Sequence, residues 1–541
     1  MEKGNPFADN VSLSPELRQY FEWAYSKNIR WPKLEYPAIF PPGYKGTRAA
    51  EDIHPGETII SVPSDCIFSA NLAKRSIVYE KISELSDPFK PYEGYFDELL
   101  LVSFLIWEKF KGESSEWHFF IQAQPTDAKV LQDWPIADIK ELQDIDLEYD
   151  SERSNYLLNY LYTTWEGDLK RTLIFTDEML TFENFLWGWR LLLTRTFGKL
   201  VPSISFVPIA EFLNHNLIET HYYYLSNSEE PDYSARVYNI EDYEDYDDPI
   251  YERIATSEIS FKLIATIYKD SLLNISQACQ EKLEKIIEIA ESKDLDRENA
   301  KKIKMDWKPP ISATIEDSSK SVVIKAGLEE FYVKGSEVYM SYGRYSNRQL
   351  LTVYGFSLKN IKYNYATLKI KIEDLASDPR MQDYIIENGF DDVYAFKLYN
   401  SIIPIGLFTV IRAFKWRKNM WPEAFLQPTY IKNELEILSD SKKFIKEYLD
   451  DFPTTLGEDL NLLEQDLSIN KYFAVVYRSE IKKILHNQIS IVTTLHEAVS
   501  FINKGKSLQD YLNLVKTSEN FLEIPSCYPS IENYLTNLNL L

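Results

Sequence analysis

The sequence predicts an α+β fold in which small β-sheets are interrupted by a long helical insertion and followed by an all-α C-terminal domain. Three observations lead to this prediction. Alternating apolar residues punctuated by glycines fill residues 41–63, helical spacing dominates residues 87–198, and helical spacing returns from Tyr365 to the end. Shorter strand signals lie between the two helical regions, at 203–209, 321–326 and 337–342.

The first element is a helix whose start is marked by its capping residues. Ser14 supplies the cap and Pro15 occupies the first helical position, where its missing N–H costs nothing. The apolar positions that follow at helical spacing form one face, which consists of Leu17, Tyr20, Phe21 and Ala24.

Composition and charge exclude several classes of function. The 541 residues carry 59 Lys and Arg against 83 Asp and Glu, which gives a formal charge of −24. Such an acidic surface repels phosphate backbones and anionic lipid, so we expect neither a nucleic-acid partner nor a membrane partner. The three cysteines and six histidines lack any metal-ligand spacing, so no metal site is predicted.

The sequence shows neither the apolar core of a secretory signal nor an apolar stretch long enough to span a membrane. The opening residues, MEKGNPFADN, contain no apolar core of a secretory signal. The longest apolar stretch, residues 402–411, is interrupted by Pro404 and Gly406 and is too short to span a bilayer. We therefore expect a cytoplasmic or nuclear protein, and we expect it to be a monomer.

Residues 226–320 differ in composition from the rest of the chain. Ten carboxylates and two arginines lie between Glu229 and Arg253, interleaved with tyrosines. This pattern is typical of a solvated acidic loop, and the alternative is a docking arm for a basic partner. The spacing of apolar residues in 276–293 predicts an amphipathic helix after it.

Several separated segments resemble, in order, the motifs of SET-domain methyltransferases of the Rubisco large-subunit methyltransferase type. The segments GYKGTRAAEDIHPGETIISVP, FLWGWRLLLTRTF, VPIAEFLNHN and EVYMSYGRYSNRQLLTVYGF carry the resemblance. The opening FEWAYSKNI is similar to the family's first helix. FPTTLGEDLNLLE and AVVYRSEIKKIL resemble segments of its helical substrate-binding domain.

The resemblance implies a domain organisation. It places a SET catalytic domain at residues 1–361, with a helical insertion at about 71–200 and the acidic, helical extra insertion at about 226–320. A helical substrate-binding domain follows at 362–541. The key polar segments at Gly43–Gly46, 194–197, 214–215 and 354–356 are expected at the ends of apolar strands.

The function that the resemblance implies is S-adenosylmethionine-dependent methylation of a lysine on a non-histone protein. The partner would be a protein substrate that presents a lysine side chain. Methyl transfer needs a neutral amine, and deprotonating a lysine of pKa near 10.4 at physiological pH costs about 4 kcal/mol. A dry aromatic channel next to a positive sulfonium lowers that cost, since desolvation and like charge both disfavour the ammonium.

The resemblance also implies roles for individual residues. Tyr354 would be the catalytic tyrosine, supported by Tyr342 from the adjoining strand. The residues expected to bind the cofactor are Gly43, Lys45, Gly46, Arg195, Asn214 and His215, with Arg195 on the carboxylate. The residues expected on the substrate side are Glu211, Tyr223 and Tyr365.

This chain departs from the family pattern in ways that keep alternatives open. Glu211 replaces an aspartate of the motif, Thr194 replaces a serine, and 125 residues separate His215 from Ser341. Protein-histidine methylation is one alternative, although the related actin-directed enzymes lack the tyrosine at the position of Tyr354. The other is a SET-fold binding module without catalysis, which the retained motif residues disfavour.

Overall fold

The computed structural model describes residues 13–90, 92–198, 201–226, 229, 318–375, 382–383, 393–415, 430–507, 510–511 and 534. The predicted amphipathic helix at 276–293 and nearly all of the acidic segment lie outside the described residues. The chain divides into two units. The first comprises residues 1–239, 308–358 and 466–475, and the second comprises 240–307, 359–465 and 476–541.

The first helix begins as its sequence predicts. Helix α1 spans Pro15–Ser26, and the Ser14 hydroxyl accepts a hydrogen bond from the N–H of Leu17. Tyr20, Phe21 and Ala24 are buried in the core of the first unit.

The strands of the first unit form several small sheets. In chain order they are β1 Leu34–Phe40, β2 Tyr44–Ala49, β3 Thr58–Pro63, β4 Phe68–Ser69, β5 Thr196–Phe197, β6 Ser205–Phe206, β7 Asn214–His215, β8 His221–Ser226, β9 Lys320–Lys325 and β10 Tyr339–Met340. β1 pairs with β2, β9 lies between β3 and β8, and β6 lies between β4 and β5, all antiparallel. β7 and β10 pair in parallel, which joins residues 125 positions apart.

A block of helices stands between strands β4 and β5. Its helices are α2 Ala70–Ala73, α3 Ile77–Ser83, α4 Phe96–Phe110, α5 His118–Gln122, α6 Ile136–Lys140, α7 Ile145–Arg171 and α8 Phe182–Arg195. α4 is buried along most of its length, and the indole N–H of Trp165 on α7 donates to the Ser103 hydroxyl on α4 at 2.8 Å. Strand β5 follows α8 without a gap, so the end of α8 is adjacent to the sheet formed by β4, β6 and β5.

Helix α9, Asn347–Tyr354, follows strand β10 and completes the regular elements of the first unit up to residue 358. Ser346 and Gln349 form a reciprocal capping box at its start. Leu350 and Leu351 bury its inner face. The prediction that residue 354 lies at a strand end is wrong, as it is for residue 195 at the end of α8, because both apolar runs repeat at helical spacing.

The second unit is mainly helical but also contains a two-stranded sheet. Its elements are β11 Tyr365–Lys371, α10 Ile372–Leu375, β12 Val393–Tyr399, α11 Ile405–Lys415, α12 Ile431–Asp450, α13 Leu456–Leu462 and α14 Ile469–Asn503, whose first residues are counted with the first unit. β11 and β12 pair antiparallel over their whole length. The C-terminal part is therefore not all-α as expected, because it contains this two-stranded sheet. The mixed α+β fold class is confirmed.

Among the helices that the structure describes, none combines the length and the apolar character needed to cross a bilayer. Within the same ranges, no group of three or more His, Cys, Asp and Glu side chains is arranged to hold a metal ion.

Candidate active site

A cavity of about 330 Å³ lies in the first unit where α8, β8, β10 and α9 meet the 210–213 segment. Its polar and aromatic lining consists of Tyr95, Glu98, Trp189, Thr194, Arg195, Thr196, Phe197, Glu211, Tyr222, Tyr342, Tyr345 and Tyr354. Of the residues that the sequence predicted to function, this cavity brings together Arg195, Glu211, Tyr342 and Tyr354.

Tyr354 is held in place by the end of helix α9. Gly355 follows it with φ +75°, the left-handed conformation that commonly ends a helix. A Cβ at this position would lie 2.7 Å from the backbone oxygen of Lys129. Glycine therefore permits both the turn and the close approach that fix where the Tyr354 ring enters the cavity.

Tyr342 is the most firmly anchored aromatic side chain of the cavity. Its hydroxyl donates to the backbone oxygen of Leu213 at 2.7 Å, and its own N–H donates to Nδ1 of His215 at 3.0 Å. The phenol and the imidazole stack with ring centroids 5.1 Å apart. Burial raises the pKa of Tyr342 well above its ordinary value, so the hydroxyl keeps its proton.

The two predicted catalytic tyrosines are neighbours. The ring centroids of Tyr342 and Tyr354 lie 4.9 Å apart. Burial also raises the pKa of Tyr354, and nearby tyrosine hydroxyls add to the shift. Its hydroxyl lies 3.4 Å from that of Tyr345, a long contact that constrains it less than the Leu213 carbonyl constrains Tyr342.

Three further tyrosines, Tyr95, Tyr222 and Tyr345, line the cavity and were not identified from the sequence. Tyr345 packs edge-on against Tyr354 with centroids 5.6 Å apart. Tyr222 lines the cavity from β8, whereas Tyr223, the residue that the sequence favoured, is buried but is not part of the lining. Side chains of a strand alternate between its faces, and the run of three tyrosines at 222–224 left the register undetermined.

His215 lies behind Tyr342 and is neutral. It is 1% exposed, and burial lowers its pKa to about 4. Nδ1 lies 3.0 Å from the Tyr342 nitrogen, whose N–H it accepts in one tautomer, and 3.3 Å from the Met340 carbonyl oxygen, to which it donates in the other. Nε2 is buried and has no hydrogen-bond partner among the described residues. This leaves one buried ring nitrogen without a described partner next to the tyrosine cluster.

Arg195 is the cation of the cavity. It is the last residue of α8, is partly buried, and donates from Nη1 to the backbone oxygen of Glu211 at 3.1 Å. That contact engages part of its five-donor guanidinium and fixes its direction. The remaining donors make Arg195 able to bind an anion in the cavity.

Glu211 is a buried carboxyl group that is fixed by residues of other elements. Its Oε1 accepts hydrogen bonds from the hydroxyl of Tyr20 at 2.9 Å and from Nε2 of Gln124 at 3.3 Å. Its Oε2 is buried without a described partner. Burial raises the pKa of Glu211 to about 7, although the charge of Arg195 acts in the opposite direction.

Three of the other predicted cofactor residues, Lys45, Gly46 and Asn214, lie around the side chain of Glu337. The amide nitrogen of Asn214 donates to the backbone oxygen of Lys45 at 2.9 Å and to Oε1 of Glu337 at 2.8 Å. A Cβ on Gly46 would collide with the ends of the Glu337 and Asn214 side chains, so a larger residue there would displace these hydrogen-bonded groups. The Asn214 amide donors are thus already used within the protein.

Gly43 lies in the turn between β1 and β2, with φ +125° and open space where a side chain would be. Gly43, Lys45, Gly46 and Asn214 are not part of the cavity lining, although Asn214 precedes His215 in β7. Tyr365 begins β11 in the second unit, where its ring packs against Tyr399 with centroids 5.8 Å apart.

Glu337, Tyr20 and Gln124 are the other residues of the site that sequence reasoning missed. Glu337 accepts hydrogen bonds from the hydroxyls of Tyr44 at 2.7 Å and Tyr339 at 2.8 Å. It is 7% exposed. A carboxylate at the head of an apolar strand was a usable signal for it, but nothing in the local sequence of Tyr20 or Gln124 indicated a contact with Glu211.

Comparisons with known proteins bear on both parts of the chain. The family model described as Rubisco LSMT substrate-binding matches residues 380–485. A crystal structure of the SET domain of LSMT bound to lysine and AdoHcy superposes on 90% of this chain and 93% of its own, with a TM-score of 0.55 and 18% identity. The fold is that of Rubisco LSMT. This confirms the resemblance that the ordered motifs indicated.

A structure of Rubisco LSMT bound to AdoMet is similarly related, with a TM-score of 0.53, 19% identity, and coverage of 90% of this chain and 93% of that chain. SET domain-containing protein 4 of Mus musculus is 24% identical over 226 residues, which are 39% of this chain and 49% of that protein. The Homo sapiens protein of the same name is 27% identical over 116 residues, or 21% and 25%. The aligned part of the chain thus covers about half of the mouse protein and a quarter of the human one.

Proposed function

We propose that this protein is an S-adenosylmethionine-dependent protein-lysine N-methyltransferase that acts on a non-histone protein. One observation carries the proposal. A single cavity gathers a guanidinium, a buried carboxyl and five tyrosines in a fold shared with LSMT structures bound to AdoMet and to lysine.

The residues present fit the cofactor. A methionine-type group carries one carboxylate and one ammonium, and the cavity offers Arg195 for the first and the unpartnered Oε2 of Glu211 for the second. Arg195 suits a carboxylate because its planar fork can donate two parallel hydrogen bonds. The turn at Gly43, the backbone at Lys45 and Gly46, and the Asn214–His215 pair would line the rest of the cofactor. When bound, the cofactor supplies a methyl group on a positive sulfonium.

The tyrosines would prepare the substrate amine. The hydroxyl proton of Tyr342 is committed to the Leu213 carbonyl, so its oxygen can only accept hydrogen bonds from a group in the cavity. An amine N–H donated to that oxygen would be oriented with its lone pair free for attack. Orientation of this kind lowers the barrier without any chemical change in the protein.

The geometry favours Tyr342 over Tyr354 as the principal orienting residue, which reverses the ranking predicted from the sequence. Tyr342 is fixed by two hydrogen bonds and a stacked ring, and Tyr354 by a longer hydroxyl contact. We assign Tyr354, with Tyr345 and Tyr222, to the aromatic wall that excludes water and favours the neutral amine. Tyr223 and Tyr365 remain proposals for the outer part of the lysine channel.

The two parts of the chain have different proposed roles. We propose that residues 1–361 are the catalytic domain and residues 362–541 the substrate-binding domain, a division that differs from the two units in assigning 240–307 and 359–361 to the first part and 466–475 to the second. The match of residues 380–485 to a substrate-binding family supports the second assignment. We keep the expectation of a monomer that is cytoplasmic or nuclear as part of the proposal.

The test begins with cofactor binding. Isothermal titration of the protein with S-adenosylmethionine should give saturable one-to-one binding, whereas a SET-fold binding module without catalysis would give none. The Arg195→Ala variant serves as the site control.

The second step identifies the modified residue. The protein is incubated with methyl-labelled cofactor and a cell lysate, and the labelled proteins are hydrolysed to amino acids. Label in methyllysine supports the proposal, label in methylhistidine supports the alternative, and label in histones contradicts the non-histone assignment.

A further inference from the structure

The outer face of helix α7 carries large side chains where polar ones are expected. Ile145, Tyr149, Tyr156 and Tyr160 are 75%, 64%, 63% and 56% exposed. At 100° per residue these four positions lie within one narrow sector of the helix. We call them the α7 stripe.

The α7 stripe lies opposite the buried side of its helix. The buried residues of α7 are Leu147, Ser151, Leu158, Leu161, Trp165 and Leu169. The folding core therefore does not explain the stripe. Among the described residues, five of the fifteen exposed large apolar side chains lie on α7, the fifth being Leu157 beside the stripe. Such clustering, unlike single exposed residues, marks an interaction surface.

Carboxylates accompany the stripe. Glu148 and Glu152 lie beside it, with Arg153 as the only basic residue between Ile145 and Tyr160. Tyrosine faces attract cations, and neighbouring carboxylates add to that attraction. The stripe extends over about 22 Å at 1.5 Å per residue, enough to accommodate four turns of a partner helix.

The stripe is fixed to the helix that ends at the cavity. Arg348 of α9 contacts Asp150 of α7 at 2.6 Å and Asp144, the residue that caps α7, at 3.4 Å. Tyr354 of the cavity lies on the same helix as Arg348. A partner bound along the stripe would therefore be held at a defined place relative to the catalytic tyrosines.

We propose that the α7 stripe docks a lysine- and arginine-rich amphipathic segment of the protein substrate. This inference rests on the proposed function and names the class of substrate. The complementary charge of the stripe supports a basic partner. A second copy of this chain is a poorer occupant, because symmetric pairing of two stripes would bring carboxylates together on a chain of charge −24.

The experiment uses three fluorescein-labelled peptides of about sixteen residues, a length that matches the stripe. The first places leucine and lysine on opposite helical faces, the second replaces every lysine by glutamate, and the third replaces every leucine by serine. Fluorescence anisotropy should show saturable binding of the first peptide and at least about tenfold weaker binding of the other two, since both contact types contribute.

The variant Tyr149→Ser/Tyr156→Ser/Tyr160→Ser should weaken binding of the first peptide by about tenfold or more. The variant Leu328→Ser/Phe331→Ser/Val333→Ser is the matched control, because it removes three side chains of similar exposure, 59%, 49% and 53%. It should leave peptide affinity unchanged, which separates docking at the stripe from general attraction to an acidic protein.

Two results would overturn the inference. One is equal peptide affinity for the wild-type protein and the stripe variant. The other is a dimer, seen by sedimentation equilibrium, that the stripe variant abolishes. Titration with S-adenosylmethionine is run on each protein and should be unaffected by the stripe variant. A wild-type protein that binds peptide but no cofactor would instead contradict the proposed function.

Discussion

The buried Arg412–Glu434 pair of the second unit is fully matched by protein partners, whereas Glu211 in the cavity of the first unit and His215 behind it are matched only in part. In the second unit, Nε and Nη2 of Arg412 contact the two carboxylate oxygens of Glu434 at 2.7 and 2.8 Å, and Tyr534 hydrogen-bonds to both residues. In the first unit, Oε2 of Glu211 and Nε2 of His215 are buried without a described partner.

The difference separates two uses of buried polarity. A buried charge pair whose geometry is complete stabilises a particular packing arrangement and leaves nothing for a ligand to bind. A buried polar atom without a partner costs free energy of folding unless a ligand supplies the partner. In the cavity, the unpartnered Oε2 of Glu211 can therefore serve a ligand, whereas the complete Arg412–Glu434 pair has a structural role.

The largest effect is expected from breaking the matched pair of the second unit. Arg412→Met leaves the Glu434 carboxylate buried and unpaired, which should lower the free energy of unfolding by about 3–5 kcal/mol. Chemical denaturation measures this change in the free energy of unfolding. Arg412→Met/Glu434→Leu should recover most of the loss, and Lys415→Met, which removes a surface partner of Asp440, should cost less than about 1 kcal/mol. A negligible loss in Arg412→Met would contradict the structural role.

The next effect is on catalysis and concerns Tyr342. Tyr342→Phe removes the fixed acceptor oxygen, so turnover should fall by about a hundredfold or more. Tyr354→Phe should lower turnover by about tenfold, since its hydroxyl is held less firmly. Methylation rates measured with labelled cofactor and saturating substrate give both values.

Tyr162→Phe is the matched control for that comparison. Its hydroxyl also donates to a backbone oxygen, that of Leu180 at 2.9 Å, but it lies in the helical block away from the cavity lining. It should retain wild-type turnover. If Tyr354→Phe proves far more damaging than Tyr342→Phe, the ranking predicted from the sequence is the better one.

The next prediction concerns the positive charge that Arg195 brings to the cavity. Arg195→Ala should weaken S-adenosylmethionine binding by more than about tenfold, because a charge-assisted contact contributes about 1.5–3 kcal/mol. Calorimetry measures the affinity, with Arg48→Ala as control, since Arg48 pairs with Glu35 on an exposed surface. Unchanged affinity in a folded Arg195→Ala protein would remove this residue from the site.

The smallest effect is a change in how stability depends on pH. The pKa of Glu211 is raised from 4.5 to about 7, so the folded protein binds more protons than the unfolded chain between these values. Glu211 therefore lowers stability as pH rises from about 4.5 to 7. Glu211→Gln keeps an acceptor for Tyr20 and should remove this contribution.

Thermal melts across this pH range check the prediction as a difference between the two proteins. The variant should gain stability relative to the wild type as pH rises, and a pH-independent difference would contradict the raised pKa. His215 acts oppositely, because its pKa is lowered to about 4 and the unfolded chain binds its proton first as pH falls. Both proteins share that effect, so it cancels in the comparison.

Local patterns were sufficient for many elements. The cap at Ser14, the helix α1 that follows it and the glycine turn at Gly43 follow from short-range rules of spacing and backbone conformation. The strand β11 was missed, although Ala366, Leu368 and Ile370 alternate as a half-buried strand requires. The helical spacing of the segments that follow led to the prediction of helix from Tyr365 onward.

By itself, the sequence determined the α+β class, the order of the motifs and their resemblance to a SET-domain family, because each depends on residues close together in the chain. Only the tertiary structure decided which partners meet. β7 and β10 pair across 125 residues, Tyr20 reaches Glu211, and Tyr222 rather than Tyr223 faces the cavity. These contacts depend on how distant segments pack, and local preferences carry no information about that packing.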